Sequence, residues 1–150
     1  MVGSTPGYLI WRVSLKWRAA VDRAVGPLGL TQAQYSLLAS LFGLSRRGAQ
    51  PSQRQLADFS GLEPVYVSKL ARALEARGLL ERADNPADPR AFQLRLTERG
   101  RDVAVQAIAR VRDLQEELTA PLGGTGSART RELVATLHTL LGTSEEEAEP

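Results

Sequence analysis

The sequence predicts a mainly α protein with a small β-hairpin wing, that is, a winged helix-turn-helix with further helices at its N- and C-terminal ends. Three observations predict this class. Residues 53–78 form two short amphipathic segments separated by Gly61, which is the spacing of a helix-turn-helix. Residues 79–96 place apolar and polar side chains around a proline-containing turn, as a β-hairpin does. The segments on either side carry helical periodicity.

Length and composition narrow the class further. The 150 residues, 43% of them hydrophobic, suffice for one or two small packed units. No apolar run approaches the roughly 18 residues needed to cross a bilayer, and the N-terminus lacks the basic region and apolar core of a secretion signal. We therefore expect a cytoplasmic protein with no membrane partner.

Residues that carry catalytic or metal chemistry are sparse. Cysteine is absent, which excludes disulfides and thiolate metal sites, and the single histidine, His138, makes a zinc site a poor match. No glycine-rich phosphate loop follows a predicted strand. We expect no enzyme activity, no catalytic residue, no metal site and no cofactor.

The charge changes sign along the chain. Residues 1–51 carry six basic and one acidic side chain, residues 52–101 nine and seven, and residues 102–150 four and nine. The last six residues include four glutamates, and such an acidic segment cannot bury apolar area. Residues 1–7 and 143–150 are expected to be disordered ends. The acidic tail is either a solubilising segment or a competitor for a basic surface.

The first helix is predicted from Tyr8 to Val25 and has two apolar stripes. One of them can face its own protomer and the other a partner. The first stripe is Ile10, Val13, Trp17, Val21 and Ala24, and the second is Tyr8, Trp11 and Leu15.

Two capping boxes mark the next two helix starts. Residues 26–29, Gly-Pro-Leu-Gly, end the first helix, and Thr31 followed by Gln34 opens the second. The interval from Gly43 to Pro51 is predicted as a loop. Ser52 followed by Gln55 opens the third helix, which is expected to end near Ser60.

The fourth helix is predicted to be a recognition helix. Gly61 supplies a left-handed turn, Pro64 suits the first helical position, and the stripe of Val67, Leu70 or Ala71, and Leu74 is buried. The opposite face offers hydroxyls, cations and an apolar contact, which are the groups that read the major groove. Its members are Pro64, Val65, Tyr66, Ser68, Lys69 and Arg72.

A basic hairpin follows at once. Residues 79–82 form one strand, residues 85–89 the turn, and Phe92, Leu94 and Leu96 alternate along the return strand. Arg90 near the apex is placed to enter a minor groove, and Asp88 is placed to orient its guanidinium by a charge-assisted hydrogen bond.

Two more helices complete the chain. One starts at Thr97 and runs to about Leu122, and the last opens at Ser127. Their apolar stripes are too long for so small a domain to cover, which favours a homodimer, although an intramolecular helical bundle is the alternative. The stripes comprise Ala104, Ala107 or Ile108, Val111, Leu114, Leu118 and Leu122, and then Leu133, Val134, Leu137, Leu140 and Leu141.

At this point the chain resembles the MarR family of winged helix-turn-helix transcription regulators over residues 8–142. The wing signature is carried by Asp88, Arg90, Leu94, Leu96, Thr97 and Gly100, and residues 27–31 and 74–82 also match the family pattern. Pro89 and Ala73 depart from it, at positions often basic in relatives. The resemblance implies a dimerisation lobe of residues 8–30 and 101–142 and a DNA-binding lobe of residues 31–100.

The resemblance also implies an effector. Small aromatic or anionic compounds often bind between the two lobes in this family, a place that Trp11, Leu15, Tyr35 and Leu38 can line here, unless they are plain core. The predicted function is a homodimeric, sequence-specific regulator, a repressor that an effector releases from double-stranded DNA. The alternative is a winged helix without an effector, acting as a constitutive or architectural DNA-binding or protein-docking module. A docking module has no need of both Arg90 and the cations of the recognition helix.

Overall fold

The computed structural model describes residues 2–143 and confirms the predicted fold class of helices with a small hairpin. The predicted acidic tail, from Glu145 onward, lies outside this range. The elements are α1 Pro6–Val25, α2 Gln32–Arg46, α3 Gln53–Ser60, α4 Pro64–Ala76, β1 Leu80–Asn85, β2 Asp88–Leu96, α5 Glu98–Thr119 and α6 Ala128–Leu141. Short 3-10 turns cover Val2–Ser4, Gly26–Leu28 and Ala120–Leu122.

Helix starts follow the capping signals in the sequence. The hydroxyl oxygens of Thr31 and Ser52 accept hydrogen bonds from the third backbone N–H of α2 and α3, at 3.2 and 3.1 Å. The Gln34 and Gln55 side chains return the bond to the backbone N–H of each cap, so both predicted capping boxes are confirmed. Thr97 and Ser127 cap α5 and α6 in the same way, without the reciprocal bond.

The end of α2 and the start of α1 differ from the prediction. α2 continues through the buried Gly43 to Arg46, because one glycine costs a helix only about 1 kcal/mol relative to alanine. The loop before Ser52 is correspondingly shorter than predicted. The N-terminal segment was predicted to be disordered, but Val2–Ser4 forms a 3-10 turn and α1 starts at Pro6, whose fixed backbone angle suits a first helical position.

The core lies where the helices α1 to α5 meet the base of the hairpin. Its largest fully buried side chains are Val21, Val25, Leu37, Leu38, Leu41, Leu56, Val67, Leu74, Leu79, Leu80 and Leu94. Only the C-terminal half of the first predicted stripe of α1 joins this core. Ile10 and Val13, which were predicted on the same stripe, are 45% and 51% exposed in the protomer.

α6 contributes almost nothing to the core. Thr130 is its buried residue, whereas its apolar stripe is largely open to solvent. The exposed members are Leu133, Val134, Leu137, Leu140 and Leu141. A helix with an uncovered apolar stripe of this length is stable only against another apolar surface.

The hairpin is antiparallel and is fixed to the helical body. β1 and β2 pair from Leu80 opposite Leu96 to Asp84 opposite Phe92, and the register shifts next to Asn85. The first strand was predicted over residues 79–82 but extends from Leu80 to Asn85, and β2 starts at Asp88, so the turn is shorter than the predicted 85–89. The backbone N–H of the buried Leu94 donates to the carbonyl of Pro51 at 2.9 Å, which ties β2 to the segment before α3.

Candidate nucleic-acid interface

The turn between α3 and α4 has the predicted chemistry. Gly61 ends α3 with a positive φ of 70°, in the left-handed region that favours glycine. Pro64 occupies the first turn of α4, where its missing N–H has no helical partner to lose. The predicted stripe from Val67 to Leu74 is buried, so the orientation of α4 about its axis is fixed by the core.

This orientation exposes the face that the sequence assigned to DNA. Val65 is 83% exposed and Tyr66 is 41% exposed, although both are large apolar or aromatic side chains. Lys69 and Arg72 are also exposed, and Ser68 is half-buried beside them. The structure therefore brings the predicted recognition residues to one open surface.

A cleft of about 300 Å³ joins the start of α4 to the wing. It is lined by Ser52, Gln53, Arg54, Pro64, Arg90, Ala91 and Phe92. The cleft places the Arg90 of the wing near Pro64 at the beginning of the recognition helix. It also adds Arg54, an exposed residue in the first turn of α3 that the sequence analysis did not single out. Its place inside the capping box of Ser52 and Gln55, in the first turn of α3, is the signal that was available.

The predicted role of Asp88 as the partner of the Arg90 guanidinium is wrong. The Asp88 carboxylate instead accepts a hydrogen bond from the backbone N–H of Arg90 at 2.9 Å. A short Asp side chain reaches the backbone two residues ahead more easily than the end of a long arginine. Asp88 thus shapes the strand, and within the described chain it leaves the Arg90 guanidinium without a carboxylate partner of its own.

The wing and the recognition helix are joined by an ion pair. Arg82 of β1 contacts Glu75 in the last turn of α4 with an N–O distance of 2.8 Å, and its guanidinium lies 5.4 Å from the centroid of the Phe92 ring. The hydrogen bond from Arg82 lowers the pKa of Glu75. Because the folded-state pKa is the lower one, this contribution to stability is present at neutral pH and is lost as the pH falls through that value.

The four residues predicted to line an effector pocket do not share one cavity in the protomer. Leu38 is fully buried in the core, while Trp11 and Leu15 are 55% and 46% exposed on α1. Their side chains belong to different faces of a bundle whose packing the sequence does not reveal. Tyr35 is the one that borders a cavity, and burial raises the pKa of its phenol.

That cavity has a volume of about 600 Å³ and lies between α2, α3 and α5. Aromatic and aliphatic side chains make up part of its wall, and two arginines, Arg46 and Arg112, make up its charged part. The lining residues are Tyr35, Ser36, Ala39, Ser40, Phe42, Gly43, Arg46, Phe59, Ser60, Ile108, Val111, Arg112 and Gln115. No carboxylate lines it, so the cavity suits an anion with an apolar or aromatic body.

Neither a metal-binding cluster nor a membrane-spanning helix is present within residues 2–143. No cluster of three or more His, Cys, Asp or Glu side chains is arranged to hold a metal ion in this range. Within the same residues, every helix is too short or too polar to span a bilayer.

Comparison with known proteins finds matches over the recognition helix and the wing. The model of the MarR family matches residues 30–92. The chain is 33% identical over 117 residues to the HTH-type transcriptional regulator YdcH of Bacillus subtilis, covering 78% of this chain and 80% of that protein. It is 32% identical over 116 residues to the HTH-type transcriptional repressor Mb2911 of Mycobacterium bovis, covering 77% and 81%.

Solved structures agree with this match. CouR of Rhodococcus jostii bound to p-coumaroyl-CoA has a TM-score of 0.79 and 26% identity, covering 93% of this chain and 94% of CouR. A mutant of Escherichia coli MarR in complex with operator DNA has a TM-score of 0.73 and 30% identity, covering 91% and 90%. With its recognition helix, its wing and these relatives, the chain belongs to the MarR family of DNA-binding transcriptional regulators.

Proposed function

We propose that this chain is a cytoplasmic, homodimeric repressor that binds operator DNA sequence-specifically and is released from it by a small-molecule effector. The observation that carries the proposal is the cleft that places Arg54 and Arg90 beside the exposed start of α4. A helix entering the major groove with a basic hairpin beside it brings cations to the phosphates on both sides of the groove. Two such units related by a two-fold axis match a palindromic site.

Base reading is assigned to the exposed face of α4. Lys69 and Arg72 donate to guanine acceptors or to phosphate, and Val65 offers an apolar contact to a thymine methyl. Tyr66 and Ser68 add hydroxyls that donate to or accept from base edges and phosphates. Arg90 is assigned to the minor groove, where narrow A·T-rich segments attract arginine.

Replacing Arg90 by alanine tests the role of the wing. If the guanidinium contacts DNA ionically, operator affinity falls and the slope of log affinity against log salt decreases by about 1 per protomer. The measurement is a set of fluorescence anisotropy titrations at several salt concentrations. The matched control is Arg95→Ala on the same strand, because Arg95 lies 3.7 Å from Glu81 and does not line the cleft. Equal slopes for wild type and Arg90→Ala would refute the ionic role.

Dimer formation is assigned to the exposed apolar faces of the terminal helices. α6 leaves five large apolar side chains open, and α1 adds Leu9, Ile10, Trp11, Val13 and Leu15. A patch of this extent on a monomer is unusual and is typical of an interface. A second copy of the chain is the partner that also supplies the second recognition helix.

The effector is assigned to the cavity beside Tyr35. Arg46 and Arg112 suit a carboxylate or phosphate, and the phenyl rings of the wall suit an aromatic body. CouR, which is similar in fold, was solved with p-coumaroyl-CoA, a compound of this mixed character. The cavity lies between α5 of the predicted dimerisation lobe and α2 and α3 of the predicted DNA-binding lobe, so a ligand there can bias their relative position.

A screen of small aromatic acids tests the effector. We expect at least one to bind saturably in calorimetric titrations and to release the operator, and we expect Arg112→Gln to weaken its binding about tenfold, since a charge-assisted hydrogen bond is lost. Arg101→Gln, an exposed arginine on α5 that does not line the cavity, is the matched control. If no acid binds while operator binding stays intact, the constitutive or architectural alternative replaces the ligand-responsive one.

A further inference from the structure

The C-terminal end of the recognition helix is tied to the connection between α1 and α2. Arg77 caps α4, and its guanidinium donates to two successive carbonyls of that connection. Nη2 bonds to the carbonyl of Leu28 at 3.2 Å, and Nη1 bonds to the carbonyl of Gly29. The two bonds span 48 and 49 residues of sequence, so they join segments that the chain itself does not hold together.

Gly29 is shaped to receive this guanidinium. Its φ is +74°, and a Cβ at this position would lie 2.5 Å from Nη2 and 3.2 Å from Cζ of Arg77. Glycine therefore serves the turn and also leaves room for the planar group to approach the backbone. A planar fork of donors matches two adjacent carbonyls in a way that the single ammonium of lysine does not.

The connection that accepts these bonds is itself fixed to the helices around it. The Asp22 carboxylate of α1 accepts from the backbone N–H of Gln32 in α2 at 2.7 Å. Arg110 of α5 donates to the carbonyl of Ala24 at the end of α1 at 3.2 Å. Arg77 thus links α4 to a unit built from α1, α2 and α5.

Arg77 is poorly placed to contact DNA. It lies at the opposite end of α4 from Pro64, a separation of about 20 Å along a helix with a rise of 1.5 Å per residue. It is half-buried, and its guanidinium donates to the protein backbone. The Arg77 guanidinium therefore has a structural role within the protein.

We propose that Arg77 is a positioning residue that sets the angle of the recognition helix against the helices that form the dimer, and thereby the spacing of half-sites that the dimer accepts. The inference rests on the proposed function. In a two-fold dimer, both recognition helices must reach successive major grooves about 34 Å apart. A helix that is fixed at its far end accepts one spacing, whereas a helix free to tilt accepts several and binds the best one more weakly.

The test uses a duplex that the wild-type protein selects from a random pool, together with versions in which the spacer between half-sites is one base pair longer or shorter. For Arg77→Lys we expect affinity for the selected duplex to fall about tenfold, a coupling typical of residues that act at a distance. We also expect discrimination between the three spacings to be largely lost, while the salt dependence stays that of wild type.

Arg101→Lys, at an exposed position on α5, is the matched control, because it retains the Arg77 bonds and is expected to retain spacing discrimination. Thermal unfolding shows whether each variant is folded at the assay temperature. Arg77→Gln is measured beside Arg77→Lys, because it removes the charge and keeps an N–H donor. Unchanged spacing discrimination in a folded Arg77 variant would overturn the inference. A smaller salt slope of Arg77→Gln would also overturn it, because it would make Arg77 a phosphate contact. Absence of duplex binding by the wild type would overturn the proposed function itself.

Discussion

Gly100→Ala is expected to lower the free energy of unfolding by about 3 kcal/mol or more, the upper range of overpacking. Gly100 lies in the first turn of α5, where a Cβ would come 1.7 Å from the carbonyl oxygen and 2.7 Å from the carbonyl carbon of Leu79. These are backbone atoms, and the same carbonyl accepts a hydrogen bond from the N–H of Thr97 at 3.2 Å. Neither segment can move aside without breaking the junction of α5 with the hairpin.

Urea unfolding followed by circular dichroism measures this effect. Gly7→Ala is the matched control, because Gly7 is exposed in the first turn of α1 and an added Cβ meets nothing within 4 Å. That change is expected to be neutral or to stabilise the protein by up to about 1 kcal/mol, as alanine is the better helix former. Similar midpoints for the two variants would show that α5 does not pack against Leu79 as described.

Leu137→Glu is expected to raise the dimer dissociation constant by a hundredfold or more, which corresponds to about 3 kcal/mol. Leu137 lies near the middle of the apolar stripe of α6 and is 38% exposed in the protomer. In the proposed dimer, a two-fold axis would place a carboxylate from each copy in an apolar interface, so the penalty would arise twice. Operator affinity falls with it, because one recognition helix alone makes half of the contacts.

The matched control adds the same charge to the other side of α6. Ala135→Glu places a carboxylate opposite the apolar stripe, at an exposed position, and is expected to leave the dimer intact. Sedimentation velocity over a range of concentrations distinguishes the two variants. A Leu137→Glu protein that stays dimeric would move the interface away from α6.

The sequence predicts well those features of the fold that depend on neighbouring residues. The capping boxes at Thr31 and Ser52, the left-handed Gly61 and the first-turn Pro64 each act through atoms within a few residues of one another. Such devices need no knowledge of distant contacts. The buried stripe of α4 follows from periodicity alone, and with it the exposed recognition face.

Long-range packing explains what the sequence did not predict. α2 continues through Gly43, a buried position, and burial depends on neighbours far along the chain. The bond of Asp88 to the backbone N–H of Arg90 is instead local, and the sequence did not reveal it because a bond to the Arg90 guanidinium fits the same spacing. The cleft that includes Arg54 and the cavity beside Tyr35 form where separate elements of the fold converge. The other three predicted pocket residues do not line that cavity.

The structure gives a physical reason why Gly100, a residue of the wing signature, is a glycine. The sequence alone gives this residue no role. In the structure it lies against the backbone carbonyl of Leu79, the residue before β1, and leaves no room for a side chain there. Thr97 reinforces the junction, since its hydroxyl donates to the carbonyl of Gly78 at 2.7 Å and accepts from the N–H of Gly100 at 2.9 Å.

Two copies of the chain are expected to present two recognition helices to one DNA duplex. Analytical ultracentrifugation of the protein, alone and with the duplex that it selects, measures this stoichiometry. We expect a free species of two 16.3 kDa chains and a complex of two chains on one duplex, formed without a stable one-chain intermediate. A protein that stays monomeric at micromolar concentration, or that binds no duplex at low salt, would contradict this expectation.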